Sequence, residues 1–98
     1  MENRPDEIDY RPEDLQAMAA GLLKGVMQGR FDPPDAGAAM KTVEWLHRMA
    51  ALRAVGVPMD TLMTLADMAA RGTGDPLVAR AAGMLAFELA MGPDPADF

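Results

Sequence analysis

Glycine and proline divide this chain into four stretches. Gly29, Gly56, Gly72 and Gly92 are each followed, within one to four residues, by Pro33, Pro58, Pro76 and Pro93. Glycine is favoured just past the end of a helix and proline at the first position of one, so each pair reads as a stop followed by a start. Between the pairs Ala, Leu and Met dominate, and the β-branched and aromatic residues that favour strands are sparse. The pattern predicts an all-α fold, a four-helix domain of two antiparallel helical hairpins over residues 12–92. An acidic tail is expected at each end, over 1–11 and 93–98, both flexible.

The first helix is expected from Pro12 to Gln28, with Glu13 and Asp14 in its first turn and Gly29 as its stop. Leu15, Met18, Ala19, Leu22, Leu23, Val26 and Met27 make its apolar face. Gly21, Gly25 and Gly29 recur every four residues, a spacing that suits close approach of another helix. The second helix is expected from Pro33 to Val55, capped by Asp32. It carries two apolar stripes. Ala36, Ala39, Met40, Val43, Leu46, Ala50 and Ala54 form one; Trp45, Met49 and Leu52 form another, set apart by Thr42 and Arg53. A helix with two such stripes must bury both, one of them against a further helix, another subunit or a partner. The third helix, from Met59 to Arg71, should turn Met59, Leu62, Met63, Leu65, Ala66, Ala69 and Ala70 inward. The fourth, from Pro76 to Met91, has only Arg80 and Glu88 as charges and is apolar almost all round. Such a helix lies centrally or in an interface. Trp and Met are enriched in interfaces, so Trp45, Met49, Leu52, Met84, Phe87 and Met91 are the expected partner-binding residues.

Charge narrows the function. The net charge is −6, yet residues 15–91 hold seven acids and seven bases. The excess lies in the ends, which should keep an apolar body soluble or dock on a basic partner. A neutral body without a basic stripe is not expected to bind nucleic acid as a monomer. The chain has no cysteine, no serine and one histidine, His47. Thiolate metal sites, disulfides and serine or cysteine nucleophiles are therefore excluded. No Gly-rich phosphate loop followed by lysine is present, and Asp32, Asp35 and Asp75 read as helix caps. No catalytic residue, cofactor or metal is expected. No apolar run is long enough to span a bilayer and no signal-peptide pattern opens the chain, so a cytoplasmic protein is expected.

A shift of 43 residues aligns Gly29, Asp32, Pro33, Ala36, Ala38, Ala39 and Leu46 with Gly72, Asp75, Pro76, Ala79, Ala81, Ala82 and Leu89. The pattern is that of a duplicated helical unit. Asp75-Pro76-Leu77-Val78-Ala79-Arg80-Ala81-Ala82 is similar to the start of the second helix of a HEAT-type repeat. Leu22 to Gly29, Asp32-Pro33 and Ala36 to Leu46 together resemble the helical core of phage-type small terminase subunits. That resemblance implies a ring-forming, non-enzymatic adaptor for DNA packaging that docks on a packaging ATPase. A basic helix-turn-helix is missing, which leaves direct DNA recognition without support. A shorter stretch, Leu46 to Leu62, looks like part of a MerR-type regulator and implies a DNA-binding transcription regulator fragment as the alternative. An acidic inhibitor of a nucleic-acid-binding protein is a further alternative, one that needs its carboxylates on the folded face. The expectation taken forward is a protein-interaction module that self-associates or docks on a larger machine.

Overall fold

The computed structural model describes residues 9–72 and 74–92. The rest of both expected tails, 1–8 and 93–98, lies outside the described residues. Four helices follow in order: α1 (Pro12–Met27), α2 (Pro33–Ala54), α3 (Met59–Arg71) and α4 (Pro76–Met91). There is no strand among the described residues. The chain is an all-α, four-helix domain, as the punctuation predicts. Gly29, Gly56 and Gly92 take positive φ at the ends of α1, α2 and α4; Gly72 does not, with φ −85°.

α2 is the spine. α1 packs on one side of it and α4 on another, while α3 packs on α4. The core joins Leu15, Met18, Ala19 and Leu22 of α1 to Ala39, Val43, Leu46, Met49 and Ala50 of α2. Met59 and Leu62 from the start of α3 and Leu85 and Leu89 from α4 complete it. Leu15 and Leu46 are fully buried, and their positions follow the apolar faces read from spacing. Not every member of those faces is covered: Met27 at the end of α1, Met40 within α2 and Leu65 at the middle of α3 are exposed.

Thr42 does not separate two stripes. It is fully buried and continues the second one toward the start of α2, on the same side of the helix as the buried Ala38 and Met49. Its hydroxyl lies 2.9 Å from the Ala38 carbonyl one turn back and 3.0 Å from the Ala81 carbonyl of α4. A buried hydroxyl is tolerated because its proton is shared between these two acceptors. Ala38 and Ala81, both fully buried, are a pair matched by the 43-residue shift. Their methyl-sized side chains let α2 and α4 approach closely, and Asp35 closes the same seam through an ion pair to Arg80 at 3.3 Å. Asp35 is thus a link between helices, not a cap.

The other carboxylates divide. Asp75 caps α4 by accepting the Leu77 N–H at 2.9 Å. Asp32 occupies the cap position of α2 without a side-chain hydrogen bond to it. Of the glycines spaced every four residues, Gly25 admits a loop side chain and Gly29 faces open space. A Cβ on Gly25 would stand 2.9 Å from the Phe31 ring.

Candidate interaction surface

The expected partner-binding residues fall into two groups on different sides of the molecule. Trp45, Met49 and Leu52, at positions i, i+4 and i+7 of α2, line an open apolar groove of about 150 Å³. Leu62, Leu65 and Ala69 of α3 form the facing wall, and Leu85 of α4 also lines it. Met49 is buried and belongs to the core, Trp45 is half-buried against that core, and Leu52 is exposed. The groove exists because α3 turns only Met59 and Leu62 fully into the core. Leu65, Met68 and Ala69 remain exposed, although Leu65 and Ala69 were expected to face inward.

Met84, Phe87 and Met91 form a ridge on α4 at i, i+3 and i+7. α4 is not central. Ala81, Leu85 and Leu89 are its buried stripe, spaced four residues apart on one side. Phe87 stands two residues beyond Leu85, and two residues rotate a helix by about 200°. The ridge therefore faces away from the groove. Phe87 and Met91 are 60% and 68% exposed, whereas Met84 packs partly on the core. Phe87 and Met84 border a second hollow of about 320 Å³ with Leu22 and Phe31. A third, about 350 Å³, runs between α3 and α4 and is lined largely by alanines and leucines.

The ordered polar side chains hold elements together. Arg53, with a side chain only 19% exposed, was expected merely to divide the stripes of α2. Its guanidinium donates to the Tyr10 carbonyl at 2.9 Å, to the Val57 carbonyl at 2.9 Å and to the Asp9 carboxylate at 2.7 Å. Tyr10 in turn donates its hydroxyl to the Leu89 carbonyl at 2.6 Å. Desolvation, with a smaller contribution from the nearby Asp14 carboxylate, raises the Tyr10 pKa above its ordinary value. Asp9 and Tyr10, which fall inside the stretch read as an N-terminal tail, thus bond to α2 and α4. Two ion pairs run along helices at i,i+4 spacing: Glu44 with Arg48 at 3.5 Å on α2 and Asp67 with Arg71 at 3.1 Å on α3. His47 is exposed on α2.

Among the described residues, no group of three or more His, Cys, Asp or Glu side chains is placed to hold a metal ion. No helix among them is long and apolar enough to cross a membrane. Comparison of the chain with protein-family models, curated proteins and solved structures finds no match.

Proposed function

We propose that this chain is a non-enzymatic protein-interaction module that assembles with copies of itself, the ridge of one copy seated in the groove of the next. One observation carries the reading. A single chain presents both an open apolar groove, walled by Trp45, Leu52 and Leu65, and an exposed apolar ridge, Phe87 and Met91, turned away from it. Exposed apolar surface of this kind is characteristic of interaction sites. An interface between two different patches propagates head to tail, and closes into a ring when the rotation per copy permits. The equal acids and bases of residues 15–91 leave no net repulsion between the bodies of two copies.

A packaging adaptor that docks on an ATPase is the most specific form of this reading. It rests on the resemblance of Leu22 to Leu46 to small terminase subunits. The non-enzymatic part is supported by the roles of Thr42, Tyr10 and Arg53, whose hydrogen bonds go to backbone carbonyls and Asp9.

The test is the solution mass of three proteins by light scattering at micromolar concentration. The parent is expected above 10.5 kDa. Leu52→Glu in the groove and Phe87→Glu on the ridge are each expected to run as monomers with parental helical content. Both positions are exposed, so neither charge is buried in the fold. A monomeric parent would overturn the proposal.

A further inference from the structure

We propose that the Asp9–Tyr10 segment is a latch that holds the last turn of α4 in place and, through Arg53, fixes the hinge between α2 and α3. The chemistry begins at the end of α4. In a continuing helix the Leu89 carbonyl would accept from the N–H of residue 93, but residue 93 is proline and has none. The Tyr10 hydroxyl supplies the missing donor at 2.6 Å, across 79 positions of sequence. Gly92 makes room for it: a Cβ there would lie 3.2 Å from the tyrosine oxygen, and φ at this residue is +77°.

The other end of the segment is fastened to the hinge. The Arg53 guanidinium binds the Tyr10 carbonyl and the Asp9 carboxylate with two of its nitrogens, and the Val57 carbonyl with the third. Val57 stands between Gly56, whose φ is +97°, and Pro58. It is therefore the middle of the short connector that sets the direction of α3. One arginine and one tyrosine close a loop through four parts of the fold: the segment ahead of α1, the end of α2, the connector and the end of α4. Thr42 and Asp35 hold the first half of α4 on α2, but in its last turn Leu89 is the buried residue, so the Tyr10 bond is a large share of what retains that turn. Drawing the segment away from Arg53 frees the last turn of α4 and the Gly56–Pro58 connector, so α3 and Leu89 loosen, while the Thr42–Ala81 bond and the Asp35–Arg80 pair keep the first turns of α4 on α2.

Amide hydrogen exchange resolved by helix tests it, on the full chain and on two conservative variants. Tyr10→Phe keeps the ring and removes only the donor to Leu89. Arg53→Lys keeps the charge and removes the three-way fork. In both, amides of α3 and of the last turns of α4 are expected to exchange about three- to tenfold faster, the effect of losing about one net hydrogen bond. Those of α1 and of the α2 turns around Leu46 should accelerate no more than global stability falls, and should keep slower exchange and a steeper urea dependence than those of α3 and the end of α4. One rate and one urea dependence shared by all four helices would overturn the proposal, because α3 and the end of α4 would then open only with the whole chain. Unchanged exchange in α3 and α4 would overturn it as well.

Discussion

Thr42 shows how much one hydroxyl settles at the seam between α2 and α4. It is the buried polar side chain among the described residues, and two carbonyls, one from each helix, keep it from being stranded. Thr42→Val preserves the shape and removes the donor, and is expected to cost about 1–2 kcal/mol in urea unfolding. Tyr10 gives a second prediction, in pH. Its folded-state pKa is raised above an ordinary value of 10.0, chiefly by desolvation, so the folded chain favours the neutral phenol. The resulting stability is fully present below pH 10 and is lost as pH rises through the folded pKa. Denaturation midpoints above pH 10 should therefore fall more steeply for the parent than for Tyr10→Phe. Parallel profiles would contradict the assignment. Neither role was legible in the sequence. Threonine on a helix reads as a polar divider, and Tyr10 falls in an acidic stretch without periodicity. Only the long-range pairing with Ala81 and Leu89 gives them their work, and spacing along a chain carries no information about that pairing.

At the scale of the helix, existence and limits were legible because capping is local. Asp-Pro starts and glycine stops mark α2 and α4 without reference to the rest of the fold. Which apolar positions are covered was less so. α4 is apolar on nearly every side, and composition alone cannot show that Ala81, Leu85 and Leu89 are its buried stripe. The interior glycines separate the two kinds of information. Gly83 lies in α4 with open space where a Cβ would stand, so Gly83→Ala should gain about 0.5–1 kcal/mol from helix propensity. Gly25→Ala has the same propensity gain but displaces the Phe31 ring, and should be less stabilising than Gly83→Ala. Equal gains in thermal denaturation would mean that Phe31 does not press on α1. Leu85, buried where the groove meets the α3–α4 hollow, is the costly position in α4. Leu85→Ala should lose about 2–5 kcal/mol.

Over the whole molecule, the six residues singled out for partner binding resolve into a groove and a ridge, and this division is what makes head-to-tail assembly a specific claim. The sequence showed that both stripes were apolar. It did not show that α3 would leave the α2 stripe partly uncovered, because α3 commits only Met59 and Leu62 fully to the core. Mixing Leu52→Glu with Phe87→Glu and reading the mass by light scattering tests the claim most directly. The first variant keeps an intact ridge and the second an intact groove. The account predicts that two chains, each monomeric alone, combine one to one at about twice 10.5 kDa and stop there. A mixture that stays monomeric would contradict it, since no groove of one copy would then be receiving the ridge of another.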